Sequence, residues 1–263
     1  MLERFGLSSC NPVQTPIAPG ITLSKSMGPT TPEEVQQMQN TPYLSAIGTL
    51  QYLSTMSRPD IAYTVSFLAR FNQNPGPSHW GAVKHLMRYL KGTMDFKLTY
   101  SGPLAPGIFT TFCDASHGDC KDSGRSTGGY VTRMGGGAVG WASKLQPVVA
   151  QSTTEAEFVA AVEAGKEICW MRNLLGELGY TCTTSSPLYI DNESAVTVSK
   201  NPEHHGRMKH LDLRFYWLRD AVEQGIIAPL RIPGNEQPAD ILTKALPLPK
   251  AQFCRKAMGV SDG

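Results

Sequence analysis

The run Ile108-Phe109-Thr110-Thr111-Phe112-Cys113-Asp114, IFTTFCD, continues directly into Ala115-Ser116. Its β-branched and aromatic residues, in short polar and apolar steps, read as a strand. That strand closes on a carboxylate set among small residues, and an acid at a strand end can be aimed at a metal ion. Three further acids stand where such a site would want them. Glu157 lies in a helical pattern, Asp191 closes the apolar run Leu188-Tyr189-Ile190, and Asp240 opens a helix after Gly234-Asn235-Glu236. Brought together, four carboxylates repel and raise one another's pKa values unless a cation lies among them. The expectation is a site for hard divalent ions.

The pattern around these acids predicts a sheet. Pro103 to Gly107 reads as a linker, followed by the strand to Asp114, a strand over Gly129 to Met134, a turn at Gly135-Gly136-Gly137 and a strand over Ala138 to Ala142. A helix then opens at Ser152-Thr153-Thr154 and runs to about Leu178-Gly179, with Ser152 and Glu155, or Thr154 and Glu157, as a capping box. Stepping from Glu157 by helical spacing meets Ala161, Ala164, Ile168, Met171 and Leu175, a small-to-apolar stripe fit to face a sheet. The same walk from Glu155 turns polar at Lys166 and Asn173, so Glu157 is the favoured site acid. Beyond it come a strand over Leu188 to Asp191, a short helix from Asn192, a helix from about Met208 to Gln224 bearing Leu211, Phe215, Leu218 and Val222, and a strand over Ala228 to Ile232. That order describes a mixed sheet with helices on its faces. Parallel neighbouring strands would bring Asp114 and Asp191 to one edge.

Upstream, residues 1–41 are rich in Pro, Ser, Thr and Gly and read as an extended lead-in with little packing. Within residues 42–100 three helical patterns follow, Tyr43 to Met56, Asp60 to Phe71 and Ser78 to Leu90, the last with Ser78 as its N-cap. Lys84, His85, Arg88 and Lys91 line the third, as a solvated face or a contact to a nucleic-acid backbone. Across the 263 residues the net charge is +2, too slight a surplus to diagnose a nucleic-acid partner. The six cysteines include no CxxC pair, which leaves neither a zinc ribbon nor a disulfide framework and suggests reduced, intracellular thiols. No apolar run approaches the roughly 20 residues of a membrane span.

The stretches FCDAS (112–116), RSTGGYV (125–131), GWASKLQPVVAQSTTEAEF (140–158), YIDNESA (189–195), KHLDLRF (209–215) and PADILTK (238–244) resemble, in order, the ribonuclease H domain of copia-type retrotransposon polyproteins. SAIGTLQYL, SRPDIAY and HWGAVKHLMRYLKGT are similar to the stretch after the polymerase palm in the same polyproteins. The resemblance implies an α/β, ribonuclease H-like mixed five-stranded sheet over residues 107–248, preceded by the lead-in (1–41) and a three-helix segment (42–100), with 249–263 as a tail. It implies a metal-dependent endonuclease for the RNA strand of RNA–DNA hybrids, with Asp114, Glu157, Asp191 and Asp240 holding two Mg2+ ions, Mn2+ being an acceptable substitute. The palm and its paired aspartates do not occur in these residues, so polymerase activity is not expected. The implied partners are the hybrid and other parts of a polyprotein, with no membrane. An inert nucleic-acid-binding or scaffold relic of the transposon is the alternative reading.

Two further expectations attach to the site. Ser116, Asn192, Ser194, Arg207, Lys209 and His210 are candidate substrate contacts, with Ser126 and Thr127 as further hydroxyls. Related ribonucleases H often carry a His about ten residues before the last Asp. Leu230 stands there, and His210 is read either as a compensating residue or as a helix-surface His that contacts backbone or solvent.

Overall fold

The computed structural model describes residues 1–102, 109–200 and 212–262, without the side chains of 212–215. Its centre is a five-stranded sheet built from β2 (Thr110–Ser116), β3 (Thr127–Met134), β4 (Gly137–Leu145), β5 (Ser186–Ile190) and β6 (Ile227–Arg231), in the order β4-β3-β2-β5-β6. β2, β3 and β4 form an antiparallel meander, whereas β5 runs parallel to β2 and β6 parallel to β5. The expected mixed sheet is therefore present, with Gly135 (φ 58°) and Gly136 (φ 81°) turning the β3–β4 hairpin in the region that glycine enters without a Cβ clash.

Helices cover both faces. Helix α5 (Thr153–Glu177) packs its stripe of Ala156, Ala160, Ala161, Ala164 and Ile168 against the sheet. Small side chains let the helix axis come close, which carries Glu157 up to β2. Helices α6 (Glu193–Lys200) and α7 (Asp212–Glu223) lie on the same side, where Leu218 is fully buried. Leu211 and the side chain of Phe215 fall outside the described residues. On the opposite face Phe112 and Val131 pack against the turn Pro238–Leu242 and α8 (Leu248–Ala257).

The helical segment consists of α1 (Pro32–Gln39), α2 (Tyr43–Met56), α3 (Ala62–Ala69) and α4 (Pro77–Gly92). Helix α2 has the bounds read from the sequence. Helix α4 begins at Pro77, so Gly76 and not Ser78 is its N-cap: Pro77 occupies the first position, where a missing N–H costs nothing, and His79 Nδ1 accepts from the Gly76 N–H at 2.8 Å.

Two expectations are corrected. The lead-in is not loosely packed: Ile17 and Leu23 are buried in the helical core, and Thr31 and Glu34 form a capping box that starts α1. The residues after 248 are not a tail either. They form α8 and then β7 (Val260–Asp262), which pairs antiparallel with β1 (Phe96–Leu98) at the end of the helical segment. The burial of Ile17 and Leu23 and the β1–β7 pairing depend on partners far away along the chain, which local pattern does not reveal.

Candidate metal centre

Parallel pairing of Phe112 with Tyr189 brings the ends of β2 and β5 side by side, so Asp114 and Asp191 emerge at one sheet edge. Helix α5 starts there. Its cap is Ser152, which accepts from the Glu155 N–H at 3.1 Å, while Glu155 returns a carboxylate oxygen to the Gln151 N–H at 2.8 Å. Glu155 thus closes the helix terminus and Glu157, two residues on, turns toward the sheet, where it accepts from the Ala115 N–H at 3.2 Å. Asp114, Glu157 and Asp191 each offer an oxygen, all within 4.8 Å of one another. Among the described residues no other His, Cys, Asp and Glu side chains gather in this way.

Asp240 arrives from the other face. The turn that carries it is seated by Gln237, fully buried, which donates from Nε2 to the Cys113 carbonyl at 2.9 Å. It also needs Gly129, opposite Asp114 in β3, because a Cβ there would lie 2.7 Å from Leu242 Cβ. Asp240 does not join the cluster of three directly. Lys244 lies between, 2.7 Å from Asp240 Oδ1 and 3.4 Å from Asp114 Oδ2, and Lys250 is 3.1 Å from Asp240 Oδ2. Thr243 Oγ1 donates to Asp114 Oδ2. The sequence reading passed over Thr243, Lys244, Lys250 and Gln237, although two of them stand within the PADILTK stretch.

The electrostatics follow from burial and crowding. Burial chiefly, then Asp114 and Asp191, holds the Glu157 carboxyl far above its ordinary range. Asp114 is also raised, by burial and by Asp240 and Asp191, against the opposing pull of Lys244. Asp191 is raised by burial and by Asp240. Burial works against the Lys244 ammonium, but Asp114 and Asp240 outweigh it and hold its proton more firmly. Glu157 Oε2 is buried with no hydrogen-bond partner, a costly arrangement for a carboxylate unless something else takes up its lone pairs. Oxygen-only donors, a buried unpartnered carboxylate oxygen and raised pKa values together suit a hard divalent cation.

The candidate substrate contacts fare unevenly. Ser116 ends β2, half-buried, next to the cluster, and Ser194 is exposed on α6. The Asn192 side chain caps α6, accepting from the Ala195 N–H at 3.0 Å. Ser126 and Thr127 are fully buried and hold the loop before β3, Ser126 accepting from the Gly118 N–H and Thr127 donating to Asp119. Arg207, Lys209 and His210 lie outside the described residues. Leu230 sits on β6 as the sequence numbering requires, 39 % exposed. On α4, His85, Arg88 and Lys91 face the lead-in and hold backbone carbonyls of Thr15, Asn11, Ser8 and Cys10.

No family model matches the chain. Over 260 residues it is 44% identical to the "Retrovirus-related Pol polyprotein from transposon TNT 1-94" of Nicotiana tabacum, covering 99% of this chain and 19% of that protein. The chain is similar over nearly its whole length to one part of that retrotransposon Pol polyprotein. It is likewise 32% identical over 260 residues to the transposon RE2 Pol polyprotein of Arabidopsis thaliana, covering 99% of this chain and 17% of the relative. The chain thus spans about a fifth of the length of these curated relatives. Among solved structures, LC11-RNase H1 isolated from compost is 15% identical with a TM-score of 0.40, covering 52% of this chain and 93% of that one. No helix among the described residues is long and apolar enough to cross a membrane.

Proposed function

We propose that this part of a copia-type polyprotein is a metal-dependent endonuclease that hydrolyses the RNA strand of RNA–DNA hybrids, leaving a 3'-hydroxyl and a 5'-phosphate. The observation that carries the reading is the approach of Asp114, Glu157 and Asp191 to within 4.8 Å, with one Glu157 oxygen buried and unpartnered. In-place hydrolysis of a phosphodiester requires an activated water and stabilisation of charge on both the attacking and the leaving oxygen. Two Mg2+ ions, or Mn2+ in their place, supply both when bound.

The chain's own groups have separable parts in this reading. Asp114 reaches both the cluster and Asp240's partner Lys244, so Asp114, Glu157 and Asp191 would hold one ion, and Asp114 with Asp240 would hold the other. Asp191 is less buried than the other three. The α5 cap and the turn at Pro238–Leu242 fix two of these acids, so the ligands are preorganised rather than gathered by the ion. Ser116, at the end of the strand that carries Asp114, and Ser194, exposed on α6, are the hydroxyls this reading assigns to ribose or phosphate, and the 2'-hydroxyl is the group that separates RNA from DNA.

Incubating the full chain with a hybrid labelled on either strand, in Mg2+ or in chelator, tests the proposal. Cleavage of the RNA strand alone, dependent on Mg2+ and lost in Asp114→Asn, is the expected result. No cleavage by the wild type, or equal cleavage by Asp114→Asn, defeats it, and preference for duplex DNA would reassign the substrate.

A further inference from the structure

We propose that Lys244 is a built-in counter-ion for the Asp114–Asp240 half of the site, which an incoming divalent ion must displace, so that the two ion positions load with unequal affinity. The inference rests on the metal-dependent reading above and concerns what that reading does not use, an ammonium lodged among the presumed ligands.

Two lysines reach Asp240, and they are held differently. Lys250 Nζ donates to the carbonyls of Gly234 (2.8 Å), Asn235 (2.9 Å) and Gln237 (3.0 Å) besides pairing with Asp240 Oδ2, and its side chain is only 19% exposed. Three carbonyls fix it in place whatever happens to the carboxylate. Lys244 contacts the carboxylates of Asp240 and Asp114, and its side chain is 40% exposed. An ammonium held by carboxylates and open to water can swing out, whereas one wrapped in carbonyls cannot. Lys250 is therefore the fixed support of Asp240, and Lys244 the replaceable charge.

The two halves of the site differ accordingly. Asp114, Glu157 and Asp191 meet with the Glu157 oxygen unpartnered, ready to receive a cation. The Asp114–Asp240 gap already holds one. A divalent ion entering it gains two carboxylates but must first part them from Lys244, and it would then repel the ammonium at close range. The first position should fill at lower ion concentration than the second. Removing the ammonium while keeping the acids should narrow that difference.

Calorimetric titration of Mn2+ into the wild-type 263-residue chain and its Lys244→Gln variant reads this directly. The expected result is a tight and a weaker event in the wild type, with the weaker one tightened by about tenfold in Lys244→Gln, on the order of one ion pair's worth of competition. In an Asp240→Asn background the weaker event should be lost, and Lys244→Gln should not restore it. Should Lys244→Gln fail to fold, 15N-lysine side-chain spectra of the wild type decide: the Lys244 ammonium signal moves as the second ion loads while that of Lys250 stays. Equal affinities, weaker binding in Lys244→Gln, or an unmoved Lys244 signal overturns the proposal alone. Absence of Mn2+ binding in either protein overturns both it and the metal-dependent reading.

Discussion

Glu157 shows how far a single side chain can be placed for chemistry at the expense of stability. Its carboxyl is buried, crowded by Asp114 and Asp191, and left with one oxygen unpartnered. Glu157→Gln should therefore raise the melting temperature in chelator at about pH 8, where the folded wild type must keep a proton on this carboxyl that the unfolded chain has released, and should abolish hybrid cleavage. Differential scanning calorimetry with a parallel cleavage assay checks both. The sign of the pH dependence follows from the same groups. Asp114, Glu157 and Asp191 all titrate above their ordinary values in the folded chain, so they bind protons more tightly folded than unfolded. Their contribution to stability is fully present below the ordinary carboxyl pKa and is lost as the pH rises through the raised folded values. In chelator the melting temperature should fall from about pH 5 to about pH 8, and Mg2+ should restore more of it at the higher pH. A flat profile in chelator, or an equal Mg2+ effect at both ends, contradicts this. At this scale the sequence distinguished Glu157 from Glu155, because the alanine stripe C-terminal to Glu157 marks a buried face. It was silent on Lys244, since a lysine after Ile-Leu-Thr looks like any solvated charge until the fold brings Asp114 beside it.

At the scale of elements, the site depends on how closely the turn at Pro238–Leu242 sits on β3. Gly129 permits that contact, with Leu242 Cβ 2.7 Å and Thr243 Cγ2 3.1 Å from where a Cβ would stand. Gly129→Ala should push the turn away, costing about 1–3 kcal/mol in chemical denaturation and weakening Mn2+ binding, because Asp240, Thr243 and Lys244 move with it. Unchanged stability and affinity would show that the turn is held elsewhere. Elements with a strong local signature were legible: β2, the β3–β4 hairpin, α2 and α5 lie close to where periodicity and caps place them. Those stabilised by distant partners were not. The lead-in carries no periodic apolar pattern, yet α4 gives its carbonyls His85, Arg88 and Lys91 as donors. β1 and β7, three residues each, exist because they pair with one another across most of the chain.

Across the whole molecule, the helical segment and the sheet are joined by buried polar contacts. Arg58 grips Asp60 through two donors, at 2.9 and 2.8 Å, and reaches the Thr93 carbonyl, while Tyr89 donates to Asp60 at 2.7 Å. Arg255 of α8 lies 3.4 Å from the Tyr89 hydroxyl and stacks over Phe96. Trp141 of β4 donates to the Ser54 carbonyl, and Arg70 to Thr127 at the loop beside the acidic cluster. Asp60→Ala would strand the Arg58 guanidinium in the interior, with an expected loss of about 3–5 kcal/mol by chemical denaturation. A loss below about 1 kcal/mol would mean the network relaxes without consequence. These links make the helical segment a support for the five-stranded sheet that carries the acidic cluster. The most direct test of the metal site is the anomalous diffraction of Mn2+-soaked crystals of the full chain. The expected result is one strong peak bound by Asp114, Glu157 and Asp191, and a weaker one between Asp114 and Asp240 with Lys244 swung aside. Manganese elsewhere on the molecule, or no peak at this edge of the sheet at saturating Mn2+, would contradict it.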